Sequence, residues 1–372
     1  MFRLARRRTA AAAPLALLCA LAVGLSAAAA ARAADLIQVE TAPMARPFAL
    51  DASGAVDTTL EPSGVAPIDA LGQFLLVVDD KVNGLVIVDS ATGVRVGAPL
   101  TSDAFPSAEA KWEAIARDSD GRYYVIGSHT GRSVEELAAH SYVVRFSLKA
   151  GVNAGDAPFA IDPASVARFG IGDALKKEGL YDAADPSNGG RPRVKIEGLA
   201  VREARDAAGK LTARDLIVGL REPDDPVVLY AASLLAPPGP AGAVTPLPLR
   251  KAATVRVGRR EGVKEQLAAL EYVPAWKGYL AVTSTEDADN AFHGCTLYFV
   301  PDPAREGAEA TAQRVWVFGP GAKAEGVCVL RMDALSGGKY SAARLALVFD
   351  NDPARTKKPS LWQLPTLVRW PE

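Results

Sequence analysis

The chain repeats itself, and the repeat limits what it can fold into. Lys111 to Thr130 reads KWEAIARDSDGRYYVIGSHT: an apolar strand with one glutamate, a turn at Gly121, and a second apolar strand with a polar end. Lys195-Ile-Glu197-Gly-Leu-Ala-Val is answered by DLIVGLRE, ending at Arg221 and Glu222. Leu270-Glu271-Tyr-Val is answered by YLAVTSTED, ending at Glu286 and Asp287. Lys323-Ala-Glu325-Gly-Val-Cys-Val is answered by LALVFDND, ending at Asp352. A weaker first copy, Ser63-Gly-Val-Ala, has serine in place of glutamate and is followed by FLLVVDD up to Asp80.

Around these pairs the apolar runs are short, rich in Val and Ile, and punctuated by Gly, Asp, Asn and Pro. That is the pattern of many short antiparallel strands rather than βαβ units. The units continue with GLVIVDS and a strand near APLT, SYVVRFSL, VVLYAAS, CTLYFV with RVWVFG, and finally SLWQLP. Val82-Asn83-Gly84 and Asp118-Ser-Asp-Gly121 supply turns, Gly taking the positive φ that a tight turn needs. Five units of three or four strands predict an all-β chain folded as a five-bladed β-propeller. A six-bladed ring is the alternative, with the extra blade inside 151–193.

The last unit stops one strand short, while Leu36 to Val39 is a strand without a neighbour in sequence. We expect it beside the last strand of the chain, where it would close the ring and remove two open sheet edges. Residues 151–193, with helix-like stretches at Asp162–Arg168 and Gly172–Gly179, and Pro-rich 234–251 read as surface insertions in one domain spanning 34–372.

Residues 1–33 read as a secretory signal peptide: Arg3, Arg6, Arg7 and Arg8, an Ala-rich apolar run, and Ala31-Arg32-Ala33 as the cleavage site. Leu18 before Cys19 does not suit a lipoprotein, and the run is weakly apolar for a membrane anchor. The expected location is periplasmic or secreted. Cleavage removes five of the 42 Lys and Arg and none of the 43 Asp and Glu, which leaves a net charge of −6. Such a chain, without basic runs, is unsuited to nucleic acid. No later segment is apolar enough to span a membrane, and a monomer is expected. Cys295 and Cys328 remain, either as a disulfide or as two small buried side chains.

Glu113, Glu197, Glu271 and Glu325 sit among Ile, Leu, Val, Ala and Trp, where a charge is costly to bury alone. On the innermost strands of a propeller all four would ring one axis, and close carboxylates do not all stay ionised without compensation. One compensation is Ca2+, which takes about six to eight oxygen ligands. The four glutamates would be its ligands, with Asp80, Glu286 and Asp350 at the second-strand ends nearby. The other is a ring of ion pairs. Lys111, Lys195 and Lys323 stand two residues before their glutamates, on the same strand face, and Arg221 adds a fourth cation. In the fourth copy Ala269 takes the lysine position, so Glu271 is the least compensated. His129 is a histidine at a strand end in the repeat register. It is a candidate general base if a carboxylate orients it, and otherwise a structural turn cap. Ser128 has no nucleophile-elbow frame, and His140 and His293 fit no zinc spacing.

WEAIA with GSHT, IEGLAV with VGLREP, LEYV with TSTED, and AEGV with FDND together resemble an uncharacterised exported bacterial family, a domain of unknown function. It is marked by repeated E-G-[LIV] and G-L-R elements. The resemblance covers the whole chain after the signal peptide. More distantly the pattern is similar to phytase-like esterase proteins, which also set glutamates on repeated propeller strands. What the resemblance implies is a propeller with a polar central funnel, with Ser63 leaving a gap in its carboxylate ring. The expected function is binding of a small molecule or protein partner in that funnel. The alternative is a calcium-assisted phosphoesterase or lactonase-like hydrolase. In it the metal would polarise the scissile group, a carboxylate or His129 would act as base, and Arg221 would steady negative charge. Whether the chain is an enzyme stays open at this point.

Overall fold

The computed structural model describes residues 37–369 apart from 82–83, 104, 106–110, 132–133, 152–157, 183–190, 193, 223–225, 241, 288–290, 304, 320 and 336–339. Residues 1–33, expected to be a signal peptide, and Leu36 lie outside the described residues. Five strands form the centre: Pro62–Pro67, Trp112–Arg117, Lys195–Arg205, Gln266–Val273 and Ala324–Leu335. Each packs against the next in chain order, and the last returns to the first. Each also pairs antiparallel with the second strand of its own sheet. The result is a closed five-bladed β-propeller. With the ring complete at five, the six-bladed alternative is not adopted.

Alternation along the strands explains the cohesion. One face of each inner strand points to the blade before and the other to the blade after, so both faces are apolar. An apolar core therefore fills every gap between blades. Leu76, Val78, Trp112 and Phe146 lie between blades 1 and 2, and Leu199, Leu216 and Tyr124 between blades 2 and 3. Leu229, Leu270 and Tyr279 join blades 3 and 4, Val282, Val327 and Leu347 blades 4 and 5, and Val65, Val77 and Val348 blades 5 and 1. Each fully buried Val, Leu or Ile contributes about 1.5–3 kcal/mol.

Near its start every inner strand carries a register shift, falling at Ser63, Glu113, Glu197, Ala268 and Glu325. A bulge re-aims its extra residue out of the ladder. The residue after it is small in all five blades, because neighbouring inner strands nearly touch there. A Cβ on Gly326 would lie 3.1 Å from the Cα of Gly64, and one on Gly64 would lie 3.1 Å from the Cα of Ala114.

Blade 5 closes as expected. Ile37–Thr41 pairs antiparallel with Thr366–Arg369, with Ile37 opposite Arg369 and Val39 opposite Leu367. The chain does not stop at SLWQLP, however. Leu361–Gln363 and Thr366–Arg369 occupy successive halves of one edge of Tyr340–Phe349, and Arg46–Pro47 continues the outer strand beside Leu361–Gln363.

The two supposed insertions also build blades. Asp162–Arg168 is not a helix. A short 3-10 turn at Pro163–Ser165 leads into Ala167–Gly170, the fourth strand of blade 2, and only Gly172–Lys177 is helical. Val244–Pro246 pairs in parallel with Ala167–Gly170, and Arg250–Arg256 is the fourth strand of blade 3. Cys295 and Cys328 are free and buried, and they lie in different inter-blade cores. Among the described residues no helix is long and apolar enough to cross a membrane.

Candidate functional site

All five inner strands run in one direction, so their starts share one end of the ring. There the bulged side chains and the ends of the second strands surround a cavity of about 340 Å³. Glu113, Glu197 and Glu325 line it with Lys111, Lys195 and Lys323, and Asp80, Glu286 and Asp350 complete the predicted lining. Asn351 and Asp352 line it too.

On blades 2, 3 and 5 each glutamate has its own lysine. Lys111 Nζ lies 3.2 Å from Glu113 Oε1, and Lys195 binds Glu197. Lys323 Nζ bridges two blades, 3.0 Å from Glu325 Oε1 and 3.1 Å from Glu286 Oε1. Behind them Arg221 donates to Glu197 at 2.6 Å, to Glu286 at 2.7 Å and to Gln266 at 3.2 Å. Burial alone would raise Glu197, but Arg221 and then Lys195 outweigh it and hold the carboxyl at about 2. Glu286 is lowered against its burial by Arg221 and Lys323. Glu113 and Glu325 stay raised, burial exceeding the help of their lysines.

Blade 1 departs from the pattern by exchanging the signs. Glu61 stands where blades 2, 3 and 5 have lysine, and Ser63 stands at their glutamate position, donating to the carbonyl of Trp112 at 2.7 Å. Its cation comes from the second strand: Lys81 Nζ is 3.1 Å from both Glu61 and Asp80. Sequence reasoning missed Glu61 and Lys81. The usable signal was position, since Glu61 precedes Ser63 by the same two residues that separate each Lys from its Glu. This seam between blades 5 and 1 is the acidic side of the cavity. Burial raises Glu61 and pushes Asp350 up to about 7. Asp79, buried behind the lining, is pushed up to about 6, again chiefly by burial.

Three expected members are elsewhere. Glu271 is not in the ring, because the bulge of blade 4 falls at Ala268 and leaves Glu271 three residues further along. It lines a second cavity at the opposite end of the inner strands. Arg221 is only 4% exposed and lies behind the lining, its guanidinium engaged by Glu197 and Glu286. His129 is fully buried, with a left-handed φ of 56°. Its Nδ1 donates to the Gly127 carbonyl at 3.0 Å, and its Nε2 has no hydrogen-bond partner. Burial lowers its pKa to about 4, so the ring is neutral at neutral pH. Neither His129 nor Arg221 reaches the cavity.

No family model and no curated protein matches the sequence. Among solved structures the chain is similar to the PQQ-bound aldose sugar dehydrogenase of Streptomyces coelicolor, at 16% identity and a TM-score of 0.40. That match covers 90% of this chain and 98% of that one. It is similar to the Cellvibrio cellulosa alpha-L-arabinanase in complex with arabinohexaose at 11% identity and a TM-score of 0.38, covering 82% of this chain and 90% of the other. It is similar to the Dos1 propeller at 11% identity and a TM-score of 0.33, covering 81% of this chain and 58% of the other.

Proposed function

We propose that the protein is an exported binding propeller of the uncharacterised kind its motifs resemble, and that it takes a small, uncharged, hydroxyl-rich molecule into the upper cavity. The observation that carries this reading is the pairing of charge on blades 2, 3 and 5. Glu113, Glu197 and Glu325 each have their own lysine, so a ligand need not bring net charge. Each ammonium has three N–H donors and each carboxylate several acceptor sites. Alternating donors and acceptors suit hydroxyl groups, which both give and receive hydrogen bonds. The test is calorimetry with a panel of neutral polyols and sugars against organic anions and cations of similar size. Saturable binding of a neutral polyol, weakened at least tenfold by Glu113→Gln, supports the reading. Binding confined to charged compounds sinks it.

A second reading, the calcium-assisted phosphoesterase or lactonase-like hydrolase, draws support from the acidic seam. Glu61, Asp80, Asp350 and Asp352 line one side of the cavity with Lys81 and Lys358. Among the described residues, no group of three or more His, Cys, Asp or Glu side chains is placed to hold a metal ion. Calcium titration followed by melting, with hydrolysis of p-nitrophenyl phosphate as readout, distinguishes the two readings. A calcium-dependent rise in Tm together with turnover would favour the hydrolase.

A further inference from the structure

The inner strands end around a second cavity of about 240 Å³, which shares no lining residue with the first. Its lining is mixed, with Val201 and Val329 on the apolar side and Arg117, Asp118, Ser119 and Glu203 among the polar groups. One of its carboxyls stands apart. Glu271 is half-buried, and its Oε1 accepts the Val329 N–H at 3.2 Å. Among the described residues no Lys, Arg or His forms an ion pair with it, whereas Glu113, Glu197 and Glu325 each have a lysine.

The other carboxylates of the lining are occupied. Asp118 receives Arg122 at 2.8 Å and Tyr124 at 3.1 Å, and Glu203 receives Arg214 at 2.7 Å. Arg117 lines the rim and lies over the Tyr123 ring. Cys328, on the facing blade, is buried, and its thiol is pushed well above the usual range by burial and by Glu271. The cavity therefore offers some apolar surface and one carboxyl with no cation of its own.

We propose that this lower cavity binds a small molecule that joins a single primary ammonium group to a short hydrocarbon body, with the ammonium on Glu271 and the hydrocarbon against Val201 and Val329. The space holds about eight water volumes at ~30 Å³ each, enough for a benzylammonium or butylammonium ion. A charge-assisted hydrogen bond to a carboxylate in a partly buried site is stronger than the same contact in water. The ligand supplies the cation that the lysines supply in the upper cavity. This site is independent of the one proposed for polyols.

The experiment is calorimetric titration of the full chain with benzylammonium, benzyl alcohol and benzoate at pH 8. Benzylammonium is expected to bind at least tenfold more tightly than benzyl alcohol, with no measurable binding of benzoate. Glu271→Gln is expected to abolish that preference, and Val201→Phe, which fills the cavity while keeping the carboxyl, to abolish binding altogether. Circular dichroism confirms that each variant is folded. Equal binding of the ammonium and the alcohol, or a preference that survives Glu271→Gln, overturns the proposal, as does the absence of saturable benzylammonium binding.

Discussion

Arg221 Nη1 lies 2.6 Å from Glu197 Oε2, and both residues are almost completely buried, at 4% and 2% exposure. The same guanidinium reaches blade 4, where Nη2 lies 2.7 Å from Glu286 Oε2. Two charges taken out of water hold each other there, and they tie two blades together beneath the cavity floor.

Removing one partner of such a pair strands the other in a poor solvent. Arg221→Met leaves Glu197 to Lys195 and Glu286 to Lys323, so it should cost about 3–5 kcal/mol. That corresponds to a fall in Tm of roughly 5–10 °C for a chain of this size. Arg221→Lys should restore part of the loss, because a point charge replaces only one arm of the fork. Thermal melts at neutral pH decide the matter, and a change below about 1 kcal/mol would show that the bridge is not structural.

The lysines of the ring are not equivalent. Lys323 meets two carboxylates from two blades, at 3.0 and 3.1 Å, while Lys111 meets only Glu113 at 3.2 Å. Lys323→Met should therefore destabilise the fold more than Lys111→Met, by at least about 1 kcal/mol. Urea denaturation of the two variants gives the order directly. Equal midpoints would argue that Glu286 is held by Arg221 alone.

Much of this was legible in the sequence, because the repeat reports both the fold and the ring. Lys195-Ile-Glu197-Gly198 and Lys323-Ala-Glu325-Gly326 show the charge pair and the small residue that lets neighbouring strands approach. Glu271 misled for a physical reason. A glutamate in an apolar strand looks the same at either end of the channel, and alternation of side chains does not reveal a bulge. The mark of register is the small residue after the bulge, namely Gly64, Ala114, Gly198, Ala269 and Gly326. Tyr272 after Glu271 breaks that rule. The depth of His129 was not legible either, since its burial depends on the Val134–His140 helix, whose His140 carbonyl receives the His129 N–H. The outer strands at Ala167–Gly170 and Arg250–Arg256 were hidden by the Gly and Pro around them.

Glu271 makes stability depend on pH in a direction opposite to that of most carboxylates. Burial raises its pKa from the usual 4.5 to about 8 in the folded chain. Between those values the folded state holds a proton that the unfolded state has lost, so stability falls as pH rises through this window. Asp350, raised to about 7, and Asp79, raised to about 6, act in the same sense. Glu197, held at about 2, contributes stability that is lost only at strongly acid pH. The protein should therefore be more stable at pH 5 than at pH 9. Glu271→Gln should flatten the decline and melt higher than the parent at pH 9. A parent stability that rises steadily from pH 5 to 9 would contradict this account.

The ring depends on a strand from the other end of the chain. Ile37–Thr41 completes blade 5 by pairing with Thr366–Arg369, and Ile37 is itself buried, at 6% exposure. Without this strand Thr366–Arg369 becomes an edge with open N–H and C=O groups, a template for pairing with other chains. Deleting residues 1–41 should therefore both lower Tm and promote concentration-dependent association. Val39→Pro provides the milder test. Proline removes one backbone N–H from the segment opposite Leu367 and should lower Tm by less than the deletion does. Both effects are read by melting and light scattering, with the chain from residue 34 onward as the parent. If the strand were only a passive tail, the truncated protein would melt and sediment like the parent. The pairing of the two chain ends instead predicts a lower Tm and larger particles as concentration rises.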